Sequence, residues 1–146
     1  MITVKLNGAD LYATYGILFR KGAYAELLKA PKRKKGYEYD WGDENGIETD
    51  PQEVPVYERL TYNLPIVIEA RNGAEFFQRY NAFKMLLLNS KEFNLDVLDL
   101  GRRFKVRYSD MSSFDKLTTI KGNKKVTCYF TLQLTDDYPT ENFQIV

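Results

Sequence analysis

The sequence predicts a mostly β fold of the α+β kind: an antiparallel β-sandwich or barrel-like sheet with one amphipathic α-helix at about residues 72–89. Three observations support this prediction. Several segments alternate apolar and polar residues with the period of two that a half-buried strand requires. Aromatic residues make up 14% of the chain, with 11 Tyr and 9 Phe, and such side chains suit a pleated surface. One segment alone has a clear helical period of apolar residues.

The N-terminal part predicts short elements. Residues 2–6 alternate and end at Asn7-Gly8, a dipeptide typical of a hairpin turn. Residues 11–19, interrupted by Gly16, predict a strand pair or one bent strand. Residues 24–29 predict one or two helical turns, which end before Pro31 because the residue preceding a proline disfavours helix.

A long strand is predicted from residue 60 onwards. Alternate positions place five apolar side chains on one face: Leu60, Tyr62, Leu64, Ile66 and Ile68. Thr61, Asn63, Val67 and Glu69 fall on the other face. Pro65 has no N–H to donate, so we expect it at a sheet edge or a bulge.

The predicted helix follows directly. Asn72 is a suitable N-cap, and Glu75 stands three residues further on, as in a capping box. Apolar residues then recur at spacings of four, three and four, which predicts one buried helical stripe ending near Asn89: Phe76, Tyr80, Phe83 and Leu87.

Two hairpins are predicted in the C-terminal third. The first joins residues 93–100 to residues 104–108 around Gly101, and the second joins residues 117–120 to residues 126–134 around Gly122-Asn123. In the last strand one face carries Val126, Cys128, Phe130, Leu132 and Leu134. The tail that follows Asp136-Asp137-Tyr138-Pro139 is expected to leave the sheet.

We expect one domain over residues 1–146, with a long charged loop or arm at about residues 29–55. Five basic residues lie within residues 29–35, and seven acidic residues with no basic residue among them follow between residues 38 and 53. The positive block of one copy can pair with the negative block of its neighbour in a head-to-tail assembly. This hypothesis assigns a subunit interface to Lys32, Arg33, Lys34, Lys35, Asp40, Trp41, Asp43 and Glu44.

The chain has no histidine and one cysteine, which removes most catalytic groups. Ser-His and Cys-His nucleophile pairs are impossible, and so are metal sites that use histidine ligands. Cys128 alternates with apolar neighbours, so we expect it to be a small core side chain. The sequence therefore predicts a protein that is not an enzyme and has no cofactor or metal.

Two other functions are compatible with particular residues of the chain. Paired carboxylates can hydrolyse glycosidic bonds, and Asp96 with Asp99, or Asp136 with Asp137, are candidates, although acids at strand ends and turns are expected to be solvated. Tyr37, Tyr39 and Trp41 can stack on sugars, which leaves a carbohydrate- or peptide-binding β-sandwich as the alternative.

Nucleic-acid and membrane partners fit the composition less well. Lys32–Lys35 can contact phosphates, but the seven carboxylates that follow repel a polyanion, and the net charge is only +1. No run of apolar residues approaches the roughly 20 that span a bilayer.

Three stretches of the chain share an order of elements with a known family. They are Val4–Gly8 followed by Tyr15–Phe19; the irregular Pro31–Asp50; and the strand Tyr62–Ala70, the helix from Asn72 and the stretch Leu100–Tyr108. This order resembles the N-terminal domain of phage distal tail proteins, the ring-forming hub proteins at the tip of long tails. Leu100 departs from the proline that the family has before Gly-Arg.

The resemblance implies a β-sandwich flanked by the helix and a structural role in a phage or prophage tail or baseplate. It implies self-assembly into a ring of six copies at the tail tip, contacts with tail-tube and tail-hub proteins, and passage of DNA through the lumen without specific binding. Its expected location is the virion tail, after synthesis in the bacterial host cytoplasm. The carbohydrate-binding-like second domain of larger members is not expected here. Tail-tube and tail-completion proteins share a similar sandwich or barrel and are related alternatives.

Overall fold

The structure, a computed structural model, describes residues 4–34, 54–116, 118–120 and 122–145, and the backbone of residues 38–39 and 48–49. Within these residues the strands are β1 Val4–Leu6, β2 Ala9–Asp10, β3 Ile17–Phe19, β4 Glu38–Tyr39, β5 Glu48–Thr49, β6 Leu60–Ala70, β7 Phe93–Val97, β8 Arg102–Lys116, β9 Val126–Asp136 and β10 Phe143–Gln144. The α-helices are α1 Leu11–Tyr15, α2 Ala23–Leu27 and α3 Gly73–Asn89. Leu98–Leu100 form a 3₁₀ turn, so the strand predicted over residues 93–100 ends at Val97.

Strand β8 belongs to two sheets. Its first half pairs antiparallel with β7 and β10, and its second half pairs antiparallel with β9. Sheet A is therefore β2-β1-β7-β8 with β10 beyond it, and sheet B is β8-β9-β6-β3. Every strand pair among the described residues is antiparallel, and the mostly β fold class with a flanking helix is confirmed.

The core lies between the two sheets and α3. One apolar space is lined by Leu6 and Leu95 of sheet A, Leu64 and Leu132 of sheet B, and Phe83 and Leu87 of α3. Side chains of this size each contribute about 1.5–3 kcal/mol when they are fully buried. The sandwich is thus held by apolar burial that the alternation in the sequence already indicated.

Pro65 lies in an interior strand but at a local edge. Its carbonyl accepts a hydrogen bond from the Arg20 N–H at 2.8 Å. In a strand, the N–H and C=O of one residue point to the same side. On that side β3 pairs with β6 only at Ile66–Ile68, so the donor that Pro65 lacks falls just beyond the end of β3.

Helix α3 begins and packs as the sequence predicted, with one difference at its cap. The Asn72 side chain accepts from the Glu75 N–H at 2.8 Å, but the Glu75 carboxylate accepts from the N–H of Arg71 instead of that of Asn72. Phe76, Phe83 and Leu87 are buried as expected. Tyr80 is half-buried, and its ring stacks on that of Phe76 with the centroids 5.7 Å apart.

The prediction of a strand at residues 11–15 is wrong, because this segment is helix α1. The Asp10 carboxylate accepts from the N–H groups of Tyr12 and Ala13 at 3.0 and 2.9 Å and so caps the helix. Gly16 ends it with a φ of 68°, a conformation that favours glycine. The strand resumes at Ile17, and α2 confirms the helical turns predicted after Tyr24.

The second hairpin uses a different first strand from the one predicted. Strand β9 pairs with Arg107–Lys116 of β8, while residues 118–120 lie outside any strand and Leu117 lies outside the described residues. Residues 109–116 are exposed except for the half-buried Met111, so no alternation marked them as a strand. Two shifts of register and a φ of 56° at Ser113 interrupt the pairing.

The C-terminal tail returns to the sheet, contrary to the prediction. Phe143 and Gln144 pair with Arg103 and Arg102 of β8. The Phe143 ring packs edge-to-face on Tyr138 at 5.5 Å, and the Lys105 ammonium lies 4.3 Å from its centroid. These contacts hold the C-terminal tail on β8. The tail has too few apolar residues for its sequence to predict a strand.

Adjacent phenylalanines on α3 test the packing directly. Phe76 is 2% exposed and Phe77 is 50% exposed. We expect Phe76→Ala to lower the free energy of unfolding by about 3–5 kcal/mol, because it leaves a cavity in the core. The matched control Phe77→Ala should cost about 1 kcal/mol or less. Urea unfolding in dilute solution measures both, and equal losses would contradict this packing.

Candidate functional site

The two ends of the charged segment that was predicted as a loop or arm pair with each other through their backbones. The Lys34 N–H donates to the Val56 carbonyl at 2.7 Å, and the Glu58 N–H donates to the Lys32 carbonyl at 2.7 Å. Arg33 and Tyr57 form an antiparallel bridge between these two bonds. Further along, β4 and β5 pair antiparallel. We call residues 32–34 and 54–58 the arm base.

The structure describes three of the eight predicted interface residues. Lys32, Arg33 and Lys34 are exposed on the arm base, as an intersubunit role requires. The other five, Lys35, Asp40, Trp41, Asp43 and Glu44, lie outside the described residues. Tyr37 lies outside them as well, and Tyr39 is described by its backbone alone. Both the charge-block hypothesis and the sugar-stacking alternative therefore remain predictions.

The arm base also presents apolar side chains to solvent. Val54 is 77% exposed and Val56 is 54% exposed. They flank Pro55, which is exposed too. Single exposed apolar residues are ordinary, but a group of them beside three basic residues is a surface suited to contact with another molecule.

A second apolar surface lies on α3 and β8, and sequence reasoning missed it. Phe77, Met85 and Leu88 are 50%, 54% and 56% exposed on the side of α3 away from its buried stripe. Their spacings of eight and three place them on one helical face. The apolar character and the spacing of these residues can be read from the sequence. The sequence does not show whether such residues lie in the core or on the surface.

Strand β8 extends this surface. A groove between α3 and β8 is lined by Tyr80, Lys84, Leu87, Leu88, Tyr108 and Met111. Beyond it Phe114 is 45% exposed, with its ring 5.9 Å from those of Tyr80 and Phe130. We call Phe77, Met85, Leu88, Met111 and Phe114 the α3–β8 face. Exposed apolar residues beside a groove are suited to contact with another molecule.

The expectation that strand-end acids are solvated is wrong for Asp136. Its carboxylate is 4% exposed and accepts from the Tyr62 hydroxyl at 2.9 Å and the Tyr138 N–H at 2.8 Å. Burial raises the pKa of Asp136, and it also raises the pKa of Tyr62. Neighbouring Asp137 is exposed and pairs with Arg107 at 2.8 Å. These two acids have separate structural partners.

The same expectation is wrong for Asp96, which is buried, and Asp96 and Asp99 have different partners. Asp96 is 5% exposed and forms two hydrogen bonds with the Arg103 guanidinium at 2.8 and 3.1 Å, which raise the pKa of Arg103. Asp99 accepts from the Tyr24 hydroxyl at 3.3 Å. Each of the four carboxylates named from the sequence thus has its own structural partner.

Cys128 is fully buried, which confirms its place as a core side chain. Among the described residues, no three or more His, Cys, Asp or Glu side chains are grouped closely enough to hold a metal ion. In the same part of the chain, no helix is long and apolar enough to cross a membrane.

Comparison with known proteins gives one finding about the fold. No family model matches the chain, and no curated protein matches it. Among solved structures it is similar to the Dit (gp 19.1) protein of SPP1, described as a paradigm of the hub adsorption apparatus in phages that infect Gram-positive bacteria. The TM-score is 0.68 at 12% sequence identity, over 95% of this chain and 51% of that one. The chain thus spans about half the length of Dit and shares the fold of that half.

The buried Asp136 predicts a pH dependence of stability. Its raised pKa means that the folded chain keeps a proton that the unfolded chain has already lost, in the window just above the ordinary carboxyl pKa. Stability should therefore fall as pH rises through that window. Asp136→Asn removes the titrating group, so the stability difference, wild type minus variant, should also fall with rising pH.

Chemical denaturation at a series of pH values measures this difference. As a companion variant, Tyr62→Phe removes a hydrogen bond that lowers the pKa of Asp136, so the window should extend to higher pH. A difference between wild type and Asp136→Asn that is independent of pH, or that grows with pH, would contradict the buried position of this carboxylate.

Proposed function

We propose that this chain is a structural subunit of a phage or prophage tail, of the distal tail type, which assembles into a ring of six copies at the tail tip. The observation that carries the proposal is the fold shared with the Dit hub protein over 95% of the chain at a TM-score of 0.68. The order of strand, helix and hairpin that resembled distal tail proteins in the sequence supports it independently.

The surface of the chain supports an assembly role. The arm base and the α3–β8 face both expose apolar side chains that an assembly contact can bury. In addition, residues 109–116 of β8 pair with β9 on one edge, while no described strand pairs with their other edge. Open edges and apolar faces are liabilities in a monomer and become contacts in a closed ring.

The same proposal gives the buried carboxylates a structural role and not a catalytic one. Asp96 and Asp136 are buried, and each accepts hydrogen bonds that tie one strand or the tail to the sandwich. In this role the subunit's neighbours in the phage tail are tail-tube and other hub proteins. DNA crosses the lumen of the ring without specific recognition. The chain then resides in the virion tail after synthesis in the host cytoplasm.

Mass measurement of the purified chain tests ring formation. Light scattering after size exclusion should give a discrete species of six times the 17.0 kDa chain mass, and electron microscopy should show closed rings. Raising the salt concentration should lower the ring population if charged contacts contribute, because salt screens exposed charges. A single-chain mass at the highest soluble concentration would contradict the proposal.

A further inference from the structure

We propose that residues 138–145, which we call the strap, open and close on β8 as one unit while the sandwich remains folded. The strap covers one edge of sheet A, where β10 pairs with β8. This inference goes beyond ring assembly, because it concerns the single chain. It depends on the burial of the strap, on its contacts with the sandwich and on the contacts between its own two ends.

No side chain of the strap is buried. Four of its eight residues are exposed, and the other four are half-buried: Tyr138, Pro139, Phe143 and Ile145. The strand that precedes the strap ends differently, because Asp136 is 4% exposed and accepts from the Tyr62 hydroxyl at 2.9 Å. A segment with few buried apolar contacts opens locally at a lower free energy than the whole domain unfolds. Opening of the strap therefore removes no side chain from the core.

The C-terminal end of the strap has few contacts with the sandwich. Within the described residues, β10 joins β8 through two residue pairs. The Lys105 ammonium lies 4.3 Å from the centroid of the Phe143 ring, and the Ile145 N–H donates to the Gly101 carbonyl at the long distance of 3.4 Å. Each of these contacts lies at the surface, where a single hydrogen bond or cation–π contact stabilises little.

The two ends of the strap contact each other. The rings of Tyr138 and Phe143 pack edge-to-face with their centroids 5.5 Å apart, and the Glu141 N–H donates to the Tyr138 carbonyl at 3.2 Å. The Tyr138 hydroxyl donates to the Glu92 carboxylate at 3.0 Å and so links this end to the segment between α3 and β7. Because Tyr138 touches both Glu92 and Phe143, loss of its side chain should loosen the far end of the strap as well.

Opening of the strap uncovers an edge of sheet A. The backbone of β8 at Arg102 and Arg103 loses its partner on one side, and the Gly101 carbonyl loses its donor. Lys105 and Glu92 remain beside this edge, the first as a cation for an aromatic ring and the second as an acceptor for a hydroxyl group. An extended segment with an aromatic residue fits such an edge by strand addition. In the closed state the strap keeps this edge from pairing with other chains.

Hydrogen exchange of the purified chain, followed by NMR in dilute solution, tests the opening. The most protected amide among residues 143–145 should exchange at least about a hundredfold faster than the amides of residues 130–132 in β9. Urea below the unfolding transition should accelerate exchange in β9 but hardly change that of the strap, because opening of the strap exposes little surface. Equal protection and equal urea response in the two segments would overturn the inference. Exchange of the strap at the rate of a synthetic peptide of residues 137–145 would overturn it too, because the strap would then not close.

A variant at one end tests whether the strap moves as one unit. Tyr138→Ala removes the contacts with Glu92 and Phe143, and it should speed exchange of residues 143–145 by at least about tenfold. The matched control Tyr12→Ala removes an exposed tyrosine of α1 and should leave this exchange unchanged. If Tyr138→Ala leaves residues 143–145 unchanged, the two ends open separately and the inference is wrong. Circular dichroism checks folding, and loss of the fold in Tyr138→Ala would show that the strap does not open independently of the sandwich.

Discussion

The pairing of β6 with β9 is the constraint on which the rest of the structure depends. The two strands align without a break from Leu60 opposite Asp136 to Ala70 opposite Val126. Because a slip of one residue would turn every buried side chain to the other face, the alternation of both strands fixes this register. One face of the pair supports the core beneath α3, while β3 and the second half of β8 attach to its two edges.

The division of β8 between two sheets follows from this arrangement. Its first half contributes Phe104 and Val106 to the core, and its second half leaves the core and carries exposed residues beside α3. The sandwich therefore holds an outward surface at a fixed position. Buried polar pairs, such as Asp136 with Tyr62, tie the strand ends and the tail to the same frame. This frame holds the exposed apolar residues of α3 and β8 at a defined position.

The sequence was informative where burial alternates and uninformative where it does not. The strands at residues 60–70 and 126–136 and the helix from residue 73 have strong periods and were predicted. Helix α1 depends on the Asp10 cap, which outweighs the apparent strand pattern, and residues 109–116 are exposed on both faces and carry no period. For the site, exposed basic residues 32–34 could be predicted from their charge. Phe77, Met85 and Leu88 could not, because an apolar residue in a sequence does not say whether it packs within the chain or against another one.

The proposed assembly requires that the β6–β9 pair form a stable frame and that exposed residues of the chain bind other copies. Hydrogen exchange, followed in dilute and in concentrated solution, tests this most directly because it reports the frame and the surfaces together. If the chain assembles as proposed, amides of β6 and β9 exchange slowest at both concentrations, whereas residues 32–34, 54–58 and 109–116 gain protection only in concentrated solution. Protection that is the same at both concentrations, or fast exchange in β6 and β9, would contradict it.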